Sequence, residues 1–292
     1  MSEWGGPWTE KKLSIVRDYV SGYLTALKYQ RFNKIYVDAF AGKGNRILDR
    51  SPFYGFFEQE KRVIVAGSTE LVLEECSHTG RPFDKFIFIE LNRRKIDELD
   101  HLKQKYPQFS HCIEVKRGDA NDCLLDLCKK GDWRNTRALI FLDPYGMQVK
   151  WTTLTALAQT KAIDLWFLFP LGVAIIRLLK TKGQISDRTK ETLNTLFGTD
   201  EWLQRFYSSQ SSATLFDEAD QQVTIRTAGF TQISDFFLER LSTIFPRGGI
   251  ISPFPLYNSK KVPIYLLCFA CGNPRGVELA KRIAQDILRA HL

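Results

Sequence analysis

Short apolar runs alternate with amphipathic segments from residue 9 to about residue 180, and that alternation admits few folds. Lys34–Ala41, Phe86–Glu90, Cys112–Lys116, Arg137–Leu142 and Asp164–Phe169 read as strands, with helices beginning at Thr9, near Gly67, and at Arg93, Asp122 and Trp151. Thr9 suits an N-cap, with Lys12 at the third helical position where a capping box takes Glu or Gln. Leu13, Val16, Val20, Tyr23, Leu24 and Leu27 follow at helical spacing. Residues 175–245 read as mostly helical, with polar breaks at Lys182-Gly183 and Ser208–Ala213. Ile250–Tyr257 and Val262–Phe269 read as an antiparallel hairpin, and Gly276–Ala290 as a last helix. These elements predict an α/β three-layer sandwich around a mostly parallel seven-stranded sheet. No repeat and no Pro/Gly/Ser-rich linker interrupts them, so one domain is expected over residues 1–292, with a helical insert at about 175–245.

Composition removes several classes. With 44% hydrophobic and 25% charged residues the chain is neither disordered nor collagen-like. Its longest apolar stretch, Leu165–Ile176, is shorter than the roughly 20 residues of a membrane span. The N-terminus has no basic region followed by an apolar run, so a cytoplasmic protein without membrane attachment is expected. The six cysteines read as reduced, Cys112 and Cys268 sitting in apolar runs. Cys268-x-x-Cys271 lacks the second pair that a tetrahedral zinc site needs, and Cys123 and Cys128 fall along a helix; no metal site is expected. His78, His101, His111 and His291 show no pairing pattern. The net charge of +8 fits an anionic partner but comes in no contiguous block.

Ligands of open parallel sheets lie outside the carboxyl ends of the strands. Here each early strand reaches an acid: Asp38 in the first, Glu90 ending the second, Asp119 after the third and Asp143 after the fourth. Buried carboxylates without partners are costly, so a ligand with many donors is expected among them. Gly42-Lys43-Gly44 allows close backbone approach, yet Ile47 stands where a dinucleotide fingerprint has its third glycine. No G-x-x-x-x-G-K-[ST] phosphate cradle occurs.

The order Asp-Ala-Phe-Ala-Gly-x-Gly, strand-end acid, Gly-Asp-Ala and Phe-Leu-Asp-Pro-Tyr-Gly resembles the motif series of class I S-adenosylmethionine-dependent methyltransferases over residues 34–170. The resemblance implies a Rossmann-like fold with S-adenosyl-L-methionine as cofactor. Asp38, Phe40, Gly42, Gly44, Glu90, Asp119, Ala120 and Asp143 would then line the cofactor, Glu90 accepting from the ribose hydroxyls and Asp119 reading the adenine amine. Asp143-Pro144-Tyr145-Gly146 is similar to the Asp-Pro-Pro-Tyr loop of amino-methylating nucleic-acid enzymes, and closer to the Asp-Pro-Tyr/Phe-Gly form of tRNA guanine-amine methyltransferases. By that likeness Asp143, Pro144 and Tyr145 are the catalytic candidates. An exocyclic amine has its lone pair delocalised into the ring, so acceptors on Asp143 and the Pro144 carbonyl would aim it at the methyl group while Tyr145 stacks on the base. Lys12, Lys43, Tyr145 and Gly146 are the substrate-side candidates, although Lys12 and Lys43 suit a solvated surface equally well.

Trp8-Thr-Glu-Lys-Lys-Leu, Tyr36-Val-Asp-Ala-Phe-Ala-Gly-Lys-Gly and Gly67-Ser68 together resemble the three-Cys-motif partner protein family, which implies a partner bearing a three-cysteine motif. Asp38 and Glu90 lie much further apart than the about 20 residues between glycine turn and ribose acid in a compact unit. The aromatic insert Ser51–Lys61 takes up much of that excess, and its Phe53, Tyr54, Phe56 and Phe57 suit a cover over the core as well as a base-stacking lid. The leading expectation is a methyltransferase acting on a base amine in RNA or DNA. The alternatives are a cofactor-fold partner protein without transfer activity and a small-molecule methyltransferase.

Overall fold

Seven strands alternate their side chains between two apolar faces, and that double burial builds the sheet. The computed structural model describes residues 7–42, 45–48, 63–181, 185–212, 221–245 and 249–292. The strands are β1 (Asn33–Asp38), β2 (Lys85–Glu90), β3 (Ile113–Arg117), β4 (Thr136–Leu142), β5 (Ile163–Phe169), β6 (Phe254–Tyr257) and β7 (Pro263–Cys271). Their spatial order is β6-β7-β5-β4-β1-β2-β3. β1 through β5 pair in parallel, whereas β7 runs antiparallel to both β5 and β6. The chain therefore steps outward from β1 to β3, returns to β4 beside β1, and ends in the expected hairpin. This is the mostly parallel, Rossmann-like seven-stranded sheet that the sequence led us to expect.

On one face, Tyr36, Phe86, Phe88, Phe141, Trp166 and Phe269 pack beneath α1 (Pro7–Ala26), α2 (Ser68–Thr79), α3 (Arg93–Lys105) and the terminal helix Val277–Ala290. The other face carries Val37, Ile87, Ile140, Leu165, Phe167 and Phe169 under α4 (Ala120–Lys130), α5 (Trp151–Gln159) and the elements after β5. Cys268 and Cys271 fall into opposite cores, because an odd spacing on a strand reverses the side chain, and they cannot converge on one ion. Cys76, Cys112, Cys123, Cys128, Cys268 and Cys271 are all free thiols.

The described residues within 175–245, expected to be helical, include a paired ribbon as well as helices. A wide helical turn, Leu171–Ile175, precedes α6 (Asp187–Phe197) and α7 (Phe230–Ile244). Between them Tyr207–Ser212 pairs antiparallel with Gln221–Arg226. The polar run at 208–213 was expected as a break, since Ser-Ser-Gln-Ser-Ser offers no apolar period; backbone pairing alone makes it a strand. A second ribbon, Asn45–Leu48 with Val63–Ala66, lies in the long stretch between β1 and α2. The aromatic residues 51–61 lie outside the described residues. No helix among the described residues is long and apolar enough to cross a membrane.

The insert shares the sheet's core. The Phe237 ring of α7 stacks on Phe169 of β5 at a centroid distance of 3.8 Å, and Phe236 meets Phe197 and Phe206 edge-on at 5.2 Å each. Phe237→Ala is expected to cost about 3–5 kcal/mol. If residues 1–292 fold as one domain, helix circular dichroism and tryptophan fluorescence of that variant report the same lowered denaturation midpoint. Two separated transitions would assign the insert to its own folding unit.

Candidate functional site

Strand order reverses between β1 and β4, and Asp38 and Asp143 occupy the carboxyl ends of those two strands. Asp38 closes β1 opposite Phe141 and is fully buried. It accepts from the Phe40 amide at 3.1 Å and from the Ser68 hydroxyl at the start of α2. Burial pushes its carboxyl up to about 6; the neighbouring Asp143 adds to the rise, while Ser68, the Phe40 amide and Lys12 oppose it. Asp143 follows β4 and receives Lys12 Nζ on Oδ2 at 2.5 Å. Lys12 comes from α1 with its side chain 1% exposed, walled by the rings of Trp8 and Phe141 at 5.5 and 5.7 Å.

The next two strands supply the other acids. Glu90 ends β2 and takes the Gly42 amide on Oε2 at 3.1 Å and the Asn92 amide on Oε1 at 2.8 Å, with Lys95 Nζ 3.6 Å from Oε2. Gly42 holds φ +65°, which lets the turn after β1 fold back onto this carboxylate without a Cβ penalty. Asp119 N-caps α4, its Oδ1 accepting from the Asn121 and Asp122 amides at 2.9 and 3.3 Å. Ala120, in the first turn of that helix, is buried, and Phe40 is half-buried in the turn after β1.

Pro144 is buried, whereas the Tyr145 side chain is 68% exposed at the rim. The loop around them is tied twice. The Tyr145 amide donates to Gln148 Oε1 at 2.7 Å, and Gly146, at φ +86°, returns its amide to the Pro144 carbonyl at 3.1 Å. Asn121 anchors it to α4: Nδ2 donates to the Gln148 carbonyl, and Oδ1 accepts from the Lys150 amide and the Thr153 hydroxyl, each at 2.9 Å.

Asp38, Glu90, Asp119 and Asp143 thus stand at the carboxyl ends of four adjacent strands, on one edge of the sheet. Lys43 and Gly44 lie outside the described residues. Lys12 departs from expectation, because α1 points it inward to Asp143 and leaves it neither on the surface nor aimed outward at a phosphate. Sequence reasoning named Ser68 only within a family motif and missed Lys95, Asn121 and Gln148; these four residues orient the others. A signal existed for Asn121, since a short amide beside the capping Asp119 competes with the helix unless its side chain is engaged elsewhere. Each acid already has donors from the protein, so the expectation that only a ligand would satisfy them does not hold. A carboxylate nevertheless has about four lone-pair sites, so the backbone amides on Glu90 and Asp119 leave acceptor capacity. That acceptor set, with the positive-φ turn at Gly42, fits a nucleoside bearing ribose hydroxyls and an exocyclic amine.

No family model and no curated protein matches the chain. Among solved structures, protein LPL1258 of Legionella pneumophila is similar over 80% of this chain and 92% of its own, at 15% identity and a TM-score of 0.38. The Escherichia coli protein yhhF, provisionally described as a methyltransferase, aligns with 71% of this chain and 82% of its own at 12% identity and a TM-score of 0.30. Spermidine synthase from Thermotoga maritima aligns with 85% and 68% at 12% identity, again at 0.30. The sheet order, not these likenesses, carries the fold assignment.

Asp38 generates a test of the site's electrostatics. Its folded-state pKa lies above the ordinary aspartate value, so its contribution to stability is present below about pH 4 and is lost as pH rises through about 6. A rise of about two units corresponds to about 3 kcal/mol. Asp38→Asn removes that titration, and in urea denaturation the variant should gain on the wild type by about 1–3 kcal/mol between pH 4 and pH 7. A stability difference independent of pH would refute the buried, raised carboxyl.

Proposed function

We propose that the protein is an S-adenosylmethionine-dependent methyltransferase that modifies an exocyclic amine of a nucleic-acid base in the cytoplasm. The observation that carries this reading is the Asp143-Pro144-Tyr145-Gly146 loop at the strand-order reversal, with an exposed aromatic ring beside an oriented carboxylate. A turn that merely ended a buried strand would not need a solvent-facing tyrosine or an ion-paired acid.

In this reading Glu90 accepts from the ribose hydroxyls, Asp119 from the adenine amine, and the turn from Asp38 through Gly42 passes beneath the methionine portion. S-adenosylmethionine supplies a methyl group on a sulfonium whose departure leaves a neutral thioether. Strong acid–base machinery is therefore unnecessary, and none of the four histidines lies among the residues that form the site. Asp143 and the Pro144 carbonyl accept the amine hydrogens and turn the nitrogen lone pair toward the methyl carbon. Tyr145 offers a stacking face to the base, a contact worth about 1–3 kcal/mol in single-strand binders. The base reaches it unstacked, at a cost of a few kcal/mol unless it is already single-stranded.

Basic residues at the same edge favour a nucleic acid over a small molecule. Arg93 and Arg94 open α3 three and four residues after Glu90 and are exposed, and Arg117 is exposed at the end of β3. Arginine in the first turn opposes the helix dipole, so a partner's phosphates are the more natural reason for the pair. The partner-protein reading keeps one supporting observation, that each of the four acids already has at least one donor from the protein.

Calorimetry and methyl transfer separate these readings. Glu90→Ala should weaken S-adenosylmethionine binding about 10- to 100-fold, the worth of a charged hydrogen-bond acceptor. Asp143→Ala should keep binding within a few-fold and lower tritiated-methyl transfer to total RNA or DNA by about 100-fold or more. Undiminished transfer by Asp143→Ala would exclude this site, and cofactor binding without transfer to any nucleic acid by the wild type would favour the partner-protein reading.

A further inference from the structure

We propose that Lys12 is a positioning residue for methyl transfer, its buried ammonium holding the Asp143 carboxylate in the one orientation that receives the target amine. The inference rests on the transfer reading above and adds a residue from a helix outside the motif series. α1 otherwise buries apolar and neutral side chains, and Lys12 is the one charged residue among them. Lysine is almost never fully buried without a partner, and its ammonium lies 2.5 Å from Asp143 Oδ2. The rings of Trp8 and Phe141 fix the ammonium from the sides. Stability alone gives little reason for such a pair, since apolar replacements of buried ion pairs are often neutral or stabilising. The pair also joins the first helix of the chain to the loop after its fourth main-sheet strand, so α1 sets the orientation of the site's central acid.

The chemistry explains why orientation matters. As the amine nitrogen forms its bond to the methyl carbon, the carbon–sulfur bond breaks and its electron pair returns to sulfur. The nitrogen then sheds one proton through the hydrogen bond to Asp143 and on to solvent. A carboxylate turned away from that orientation would meet the amine in a poorer geometry, and a displacement of about 1 Å at a reacting centre can cost about 100-fold.

Lys12→Met and Lys12→Arg test this in the full-length protein, with S-adenosylmethionine and total RNA or DNA as probes. Lys12→Met should keep the cofactor Kd and nucleic-acid KM within about threefold while kcat falls at least 30-fold. Lys12→Arg, which restores a cation, should recover at least part of kcat. Wild-type kcat in Lys12→Met overturns the inference and leaves the transfer reading intact. Parallel loss of folding, Kd and kcat in Lys12→Met, without recovery in Lys12→Arg, assigns Lys12 a structural role and also overturns it. If the wild type binds cofactor but transfers no methyl, the transfer reading itself fails and takes this inference with it.

Discussion

A sheet built outward from its middle strand must reverse its progress once, and at the reversal the crossover helices leave to opposite faces. The carboxyl ends of β1 and β4 are therefore left without a helix spanning them, in the one place where polar side chains from distant parts of the chain can meet. Asp38 and Asp143 are brought side by side there by the pairing of Asp38 with Phe141. Two acids so placed repel one another, and the buried ammonium of Lys12 opposes that repulsion. The remaining features of the site are arranged around this charged group.

Two kinds of support hold the edge. Backbone amides do most of it: Gly42 and Asn92 hold Glu90, Phe40 holds Asp38, and Asn121 and Asp122 hold Asp119. The Asn121 side chain performs the second task, locking the Asp143–Gln148 loop to the start of α4. A pre-arranged edge of this sort loses little entropy when a ligand arrives. Asp38 bears the cost, because a carboxyl held near 6 destabilises the fold at neutral pH.

The parallel core was legible because its signals are local. Five apolar runs, four of them reaching an acid, gave β2 to β5 to within a residue and β1 with three residues too many at its end, and the terminal hairpin followed from its two apolar runs. The acids themselves were visible for the same reason. Their partners were not: Lys12 lies 131 residues from Asp143, and Asn121 reaches Lys150 across 29, so only the fold reveals those contacts. The ribbon after residue 207 escaped because a run of serine and glutamine has no apolar period, although its backbone pairs as a strand. Lys12 was read as a surface or phosphate contact because sequence alone does not show which way a single helical lysine points.

The central claim is that Glu90, Asp119 and Asp143 face one nucleoside at this edge. A crystal structure of the protein with S-adenosylhomocysteine tests it most directly. The ribose hydroxyls should lie on Glu90, the adenine amine near Asp119, and the sulfur should be directed toward Asp143 and Tyr145. A ligand bound away from the carboxyl edge, or the nucleoside turned so that its sulfur faces away from Asp143, would contradict it.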